Sequence, residues 1–122
     1  MFAEKKITIQ FTPHLVPVNR GIISTIHVRP SEKINASSIA SIYEKAYAAE
    51  PFVRLLGGAR FPDTKNVTGT NFVDIAWRPD PRTGGVILMS AIDNIIKGAS
   101  GQAIQCFNVM CGYPETTGLQ IA

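Results

Sequence analysis

The chain has 122 residues, the size of one domain, and its 45% hydrophobic content is that of a globular protein. No segment approaches the ~20 consecutive apolar residues of a membrane span, and the N-terminus lacks the apolar core of a signal peptide. The net charge of +3 is mild and the basic residues are scattered, which favours a small anionic partner over nucleic acid. We therefore expect one domain over residues 1–122, bound to neither nucleic acid nor membrane.

Two strands are predicted near the start of the chain. Residues Lys6 to Phe11 alternate apolar and polar side chains, which is typical of a half-buried strand. A loop with two prolines follows over residues 12–21. Gly21 to Arg29 is rich in β-branched residues and stops at Pro30, so it predicts the second strand. The two strands could pair antiparallel across the loop.

A helix and a short strand come next. Ser37 or Ser38 can cap a helix whose apolar residues fall at helical spacing and which ends at Pro51. The segment Phe52 to Leu56 predicts a short strand, and the stretch 59–70 is rich in turn-forming residues.

The last part of the chain predicts a hairpin and a long helix. Asn71 to Arg78 and Gly85 to Ala91 flank a turn and form the hairpin. Asp93 caps the final helix, and Gly112 with Pro114 ends it. The final helix carries one apolar face, formed by Ile96, Ala99, Ala103, Phe107 and Met110. The elements together predict an α+β fold: a mostly antiparallel sheet of about five strands with two long helices on one face.

The start of the final helix is unusually rich in small residues. Asp93 and Asn94 begin it, and Gly98 and Gly101 lie within its pattern. A glycine inside a helix costs roughly 1 kcal/mol relative to alanine, so two of them indicate that something comes very near. The contact is either a neighbouring element or a bound ligand.

The cysteines and histidines give no sign of a metal site or disulfide. Cys106 and Cys111 are five residues apart in a helical pattern, so their Cα atoms would be about 7.5 Å apart, too far for a disulfide. We expect two buried free thiols in a reducing cytoplasm. His14 and His27 are distant from both, and neither a Walker loop nor a Gly-x-Gly-x-x-Gly turn is present.

Four segments carry a family resemblance: Phe11–Ile22, Tyr47–Arg54, Ala91–Gln105 and Gly112–Leu119. In this order, and across most of the chain, they resemble the N-acetyl-γ-glutamyl-phosphate reductases of arginine biosynthesis. The resemblance is to the C-terminal part of that family alone. It implies the fold of the C-terminal domain of glyceraldehyde-3-phosphate-dehydrogenase-like reductases.

The resemblance implies that the chemistry lies upstream of this chain. In the family an N-terminal Rossmann domain carries NADP, a cysteine attacks the acyl phosphate, and hydride from NADPH releases the semialdehyde from the thioester. An acid/base histidine also precedes the matched region. Cys111-Gly-Tyr-Pro114 superficially resembles the family's nucleophile motif, but the residue order differs, so we expect no catalytic residue here. The isolated chain is expected to be inactive.

Four residues are predicted binding residues. The resemblance implies that Asn94 hydrogen-bonds the nicotinamide carboxamide, and that Gly98 lets the cofactor approach. Arg20 is predicted to grip an anionic group of the substrate in bidentate fashion, and His14 to line the same pocket. Each prediction has an alternative. Arg20 could instead form an ion pair that shapes the loop, and His14 could be structural or face solvent. Asn94 could form a local hydrogen bond at the helix start, with the glycines allowing close packing of the helix. His27 is expected to be structural.

The predicted protein is the substrate-binding and dimerisation half of an NADP-dependent reductase. Its expected partners are N-acetyl-γ-glutamyl phosphate, its own N-terminal Rossmann domain against the last helix, and further copies of itself. One alternative is the sister reductase acting on carrier-bound aminoadipyl phosphate in lysine biosynthesis. Another is a non-catalytic dimerisation module.

Overall fold

A computed structural model describes residues 7–119. In chain order its elements are β1 (Ile22–Val28), α1 (Ala36–Tyr47), β2 (Val53–Gly57), α2 (Thr64–Val67), β3 (Val73–Asp80), β4 (Gly85–Ile92), a π-helix (Ile96–Ser100) and α3 (Gly101–Cys111).

The strands form one mixed sheet in the order β1-β4-β3-β2. Strand β4 pairs antiparallel with both β1 and β3, whereas β2 runs parallel to β3. Leu88 in the central strand lies opposite Ile26 on one side and Trp77 on the other. The α+β class and the predicted hairpin are confirmed. The described residues hold four strands rather than the expected five, and one of the three pairings is parallel.

The first predicted strand is wrong over the residues that the structure describes. Lys6 lies outside them, and Ile7 to Phe11 form no strand. The apolar side chains of this segment are exposed, with Phe11 at 83%. An alternating pattern becomes a strand only when its backbone groups find a partner strand, and none lies beside it in the part of the chain described.

One face of the sheet packs against α1. Ile39 of the helix is buried with Trp77 and Val86 of the sheet, and the Tyr43 ring stacks on Trp77 at 4.9 Å between centroids. The helix begins earlier than expected, because its N-cap is Asn35 and not Ser37 or Ser38. The Asn35 Oδ1 accepts a hydrogen bond from the Ser38 backbone N–H at 2.8 Å. The helix ends at Tyr47, before Pro51.

A short helix lies in the segment expected to contain only turns. Val67 of α2 is fully buried, and α2 packs against β4. Arg54 ties this region to the sheet, since its Nε donates to the Asp74 carboxylate at 2.6 Å and its Nη2 to the Asn66 carbonyl at 2.9 Å. The guanidinium also lies over the Phe72 ring, 4.6 Å from its centroid.

The final helix differs most from expectation. It divides into the π-helix and the 11-residue α3, so the two long helices are not found. Gly112 ends α3 at a φ of +74°, which confirms the predicted helix end. The buried residues of α3 are Gly101 and Asn108, whereas its apolar side faces outward, with Phe107 57% and Met110 84% exposed.

The same orientation corrects the prediction for the cysteines. Cys106 and Cys111 are free thiols, as expected, but both are exposed rather than buried. A helical pattern alone does not show which side of a helix has a neighbour, and these thiols lie on the side without one in residues 7–119. No helix among the described residues is long and apolar enough to cross a membrane.

Candidate functional site

A buried carboxylate organises the end of the sheet. Asp93 directly follows β4 and is fully buried. Its Oδ1 accepts hydrogen bonds from the backbone N–H groups of Ile95 at 2.8 Å and Ile96 at 2.9 Å, so it caps the helix start as predicted. Its Oδ2 accepts from the Gly69 N–H at 2.7 Å and from Arg20 Nη1 at 3.1 Å. We call Asp93 with these donors the Asp93 cluster.

The Asp93 cluster holds the carboxylate in its charged form. Burial by itself would raise the pKa of Asp93, because it disfavours the charge. The N–H groups of Gly69, Ile96 and Ile95 and the Arg20 guanidinium outweigh burial, and the pKa lies below the ordinary value for aspartate. The cluster therefore joins three separate segments through one charged group.

Asn94 forms a second connection, a hydrogen bond, between the helix start and the loop before β1. Its Oδ1 accepts a hydrogen bond from the Gly21 N–H at 2.8 Å. Gly21 has a φ of +111°, and a Cβ there would lie 2.3 Å from the Thr64 methyl group, so only glycine fits. With Oδ1 engaged, the Asn94 Nδ2 group is the donor that remains for a ligand.

The two glycines of the final helix differ in what surrounds them. A Cβ on Gly101 would lie 2.4 Å from Asn71 Oδ1 and 2.7 Å from Ile96 Cγ2, so a neighbouring element explains this glycine. A Cβ on exposed Gly98 would make ordinary contacts, the nearest at 3.4 Å from the Asp93 carbonyl oxygen. The surroundings of Gly98 in the described chain do not require glycine.

A second polar group beneath the helix was missed by sequence reasoning. Gln105 Oε1 accepts hydrogen bonds from Lys97 Nζ at 2.6 Å and from Asn71 Nδ2 at 2.8 Å, and Gln105 Nε2 donates to the Glu115 carboxylate. The Lys97 ammonium lies 5.7 Å from the centroid of the Phe52 ring. We call Asn71, Lys97, Gln105 and Glu115 the Lys97 network.

Burial lowers the pKa of Lys97, although interaction with Glu115, and then with Cys106 and Glu50, acts against this shift. Two signals could have revealed the network. Lys97 interrupts the small and apolar residues of the helix start, and Gln105 follows it by about two helical turns, on the same side.

The structure brings three of the four predicted binding residues together. Arg20, Asn94 and Gly98 lie at the Asp93 cluster. Arg20 binds the Asp93 carboxylate, and Asn94 binds Gly21, the residue after Arg20. The Gly98 N–H donates to the Asp93 carbonyl at 2.9 Å. His14 lies apart, in the exposed loop, with its Nδ1 3.2 Å from the Thr12 carbonyl oxygen. His27 is an exposed residue of β1.

Comparison with known proteins assigns the chain to a class. Residues 1–94 match the family model described as "Semialdehyde dehydrogenase, dimerisation domain". The chain belongs to this family. A solved structure of aspartate semialdehyde dehydrogenase II complexed with ASA, from Vibrio cholerae, has a TM-score of 0.64 and 27% identity to it. That match covers 80% of this chain and 29% of the dehydrogenase.

The curated relatives carry a more specific name. The N-acetyl-gamma-glutamyl-phosphate reductase of Akkermansia muciniphila is 56% identical over 119 residues, 98% of this chain and 34% of the relative. The reductase of the same name from Citrifermentans bemidjiense is 50% identical over 121 residues, 99% of this chain and 35% of the relative. The chain thus spans about a third of the length of these relatives, and it matches their C-terminal part.

Proposed function

We propose that residues 1–122 form the substrate-binding and dimerisation domain of an NADP-dependent reductase that converts N-acetyl-γ-glutamyl phosphate to its semialdehyde. The observation that carries this proposal is the 56% identity, along nearly the whole chain, to a relative with that name. The Asp93 cluster supports it, because it assembles three of the predicted ligand-binding residues at one place.

The residues present suit one end of the cofactor, the nicotinamide. The Asn94 Nδ2 group can donate to the carboxamide oxygen of that ring, and the neighbouring Gly98 is exposed. When bound, NADPH supplies the hydride. The role of this chain is to orient the ring face: Asn94 is itself fixed by the Gly21 N–H, so its amide has one orientation before the cofactor arrives.

Arg20 is the proposed anion-binding residue for the substrate. One of its nitrogens is bound to Asp93, and 38% of its side chain is exposed, so the guanidinium is partly presented to solvent. A guanidinium fixed on one side can still donate two parallel hydrogen bonds to a carboxylate or phosphate on another. His14 lies apart from Arg20 in the exposed loop, so its predicted place in the substrate pocket stays a prediction.

Neither cysteine is proposed as the nucleophile. Cys111 is the exposed last residue of α3, and the residue order around it differs from that of the family's nucleophile motif. Cys106 Sγ accepts a hydrogen bond from Gln102 at 3.2 Å, within the same helix. We therefore assign the covalent step to the part of the enzyme that precedes this chain.

The partners follow from the exposed surfaces. The outward apolar side of α3, with Ile104, Phe107 and Met110, is proposed to contact the nucleotide-binding domain of the same enzyme. The family description supports association with a second copy. A cytoplasmic enzyme of arginine biosynthesis is the context that fits these assignments. The sister reductase of lysine biosynthesis is not favoured, since the relatives carry the glutamyl name.

A fusion protein tests the proposal. The preceding part of the Akkermansia muciniphila relative is joined to this chain, and NADPH oxidation is followed with N-acetyl-γ-glutamyl phosphate and, separately, with carrier-bound aminoadipyl phosphate. The proposal predicts turnover with the first substrate and little with the second. A preference for the aminoadipyl substrate would transfer the assignment to the sister reductase.

A further inference from the structure

The π-helix at Ile96–Ser100 has backbone hydrogen bonds between residues five apart, one residue more than the spacing of four in an α-helix. The Gly98 N–H donates to the Asp93 carbonyl and the Ser100 N–H to the Ile95 carbonyl, both five residues back and both at 2.9 Å. Such turns are rare, and they occur mostly at functional sites. Contacts with the rest of the protein must keep this segment in the π form, because an unconstrained chain would relax to the α form.

Lys97 is a residue of the π-helix whose side chain contacts two other parts of the chain. Its ammonium donates to Gln105 of α3 at 2.6 Å and lies over the ring of Phe52, at the entrance to β2. The Gln105 amide is fixed in turn by Asn71 and Glu115. Lys97 therefore connects the π-helix to the side-chain amide of Gln105, which hydrogen bonds with Asn71, Glu115 and Lys97 itself hold in one orientation.

A change of register would move the residues next to Lys97. Each residue of an α-helix turns by about 100°, so loss of the extra residue would rotate Gly98 away from its present side. Asn94 and Asp93 are linked to the same turn through the hydrogen bond from Gly98 to the Asp93 carbonyl. The register of the π-helix thus determines which backbone faces the proposed nicotinamide site.

We propose that Lys97 is a positioning residue: through Gln105 it holds the π-helix in register and so keeps Gly98 and Asn94 in place for the cofactor. The part concerning the cofactor rests on the proposed function. Lys97 touches neither substrate nor cofactor in this proposal. Within residues 7–119 its ammonium contacts Gln105 and the Phe52 ring.

The first test needs no activity. In the fusion protein without cofactor, hydrogen exchange is measured by mass spectrometry for peptides covering residues 94–101 and, as an internal reference, residues 73–92. Lys97→Met is expected to speed exchange in the first peptide by about tenfold and to leave the β3–β4 hairpin unchanged. Lys97→Arg, which keeps a donor, should stay near wild type, as should Lys45→Met on exposed α1. Equal protection of residues 94–101 in Lys97→Met and wild type would overturn the proposal.

The second test uses the kinetics of the same proteins. Lys97→Met should raise the KM for NADPH by about tenfold with a much smaller change in kcat, and Lys97→Arg should restore it. Gln105→Leu removes the acceptor, and it should give the same increase without adding to that of Lys97→Met. A residue with only a structural role would lower the Tm and leave the KM for NADPH unchanged. An inactive wild-type fusion would count against the proposed function, whereas an active one with unaltered KM in Lys97→Met would count against Lys97 alone.

Discussion

Arg20 and Asp93 are 73 positions apart in the chain, yet the Arg20 guanidinium lies 3.1 Å from the Asp93 carboxylate. The arginine comes from the loop before β1, and the aspartate from the junction between β4 and the π-helix. The contact fixes one predicted substrate-binding residue directly beside the predicted cofactor-binding residue Asn94. The ion pair that shapes the loop and the binding role are therefore compatible, because the pair uses one side of the guanidinium.

Replacing Asp93 should be the most damaging single change at this site. Asp93→Ala leaves three backbone N–H groups and the part-exposed Arg20 guanidinium without their acceptor, and donors left unsatisfied in this way cost about 1–3 kcal/mol. We expect a decrease of that size in the free energy of unfolding, measured by urea denaturation. Exposed Glu32→Ala is the control and should change it by less than about 0.5 kcal/mol. A loss below about 1 kcal/mol for Asp93→Ala would contradict the geometry of the cluster.

The stability of the protein should depend on Asp93 at acid pH. Because the folded chain lowers the pKa of Asp93, the unfolded chain binds its proton first as the pH falls below about 4. The stability contributed by this group is complete above that pH and is lost as the pH falls through the folded pKa. Urea midpoints should therefore fall more steeply below about pH 4 in wild type than in Asp93→Asn. Parallel curves for the two proteins would show that Asp93 does not contribute.

Replacing Arg20 should affect substrate binding more than the stability of the fold. Arg20→Ala removes one of the hydrogen bonds to Asp93, so the free energy of unfolding should fall by only about 1–2 kcal/mol. In the fusion protein the KM for N-acetyl-γ-glutamyl phosphate should rise by about tenfold, while the KM for NADPH stays close to wild type. Arg29→Ala, at an exposed arginine just after β1, is the matched control. An unchanged substrate KM in Arg20→Ala would leave Arg20 with its loop-shaping role alone.

The two glycines give opposite predictions. Gly101→Ala places a Cβ against Asn71 and Ile96, and such overpacking typically costs about 1–3 kcal/mol. Gly98→Ala has room, and it should leave the free energy of unfolding unchanged or raise it by up to about 1 kcal/mol. In the fusion protein Gly98→Ala should nevertheless raise the KM for NADPH. If both the stability and this KM are unaffected, Gly98 does not approach the cofactor.

The elements with local signals were predictable from the sequence. Strand β1 stops before a proline, a turn separates the two strands of the β3–β4 hairpin, and Asp93 and Gly112 mark the ends of the final helical region. These features depend on residues close together in the chain. The family resemblance was also predictable, because it rests on several ordered segments, and the comparisons confirm it.

The features that failed depend on distant neighbours. Ile7 to Phe11 alternate correctly but have no partner strand in the described chain, and the apolar side of α3 has no covering element there. The contacts of Lys97 in the π-helix are with Gln105 of α3 and with Phe52 before β2, which lie in other parts of the chain. Periodicity carries no information about such meetings, so the helix was predicted as continuous and its cysteines as buried.

The proposed function is tested most directly by NADPH-dependent turnover of N-acetyl-γ-glutamyl phosphate. It is made with this chain alone, with the separately expressed preceding part of the Akkermansia muciniphila relative, and with the two mixed or fused. We expect turnover only where both parts are present. Turnover by the chain alone would contradict the assignment of the chemistry to the preceding part. Absence of turnover in the mixture and the fusion, with both parts folded, would contradict the reductase assignment and favour a non-catalytic dimerisation module.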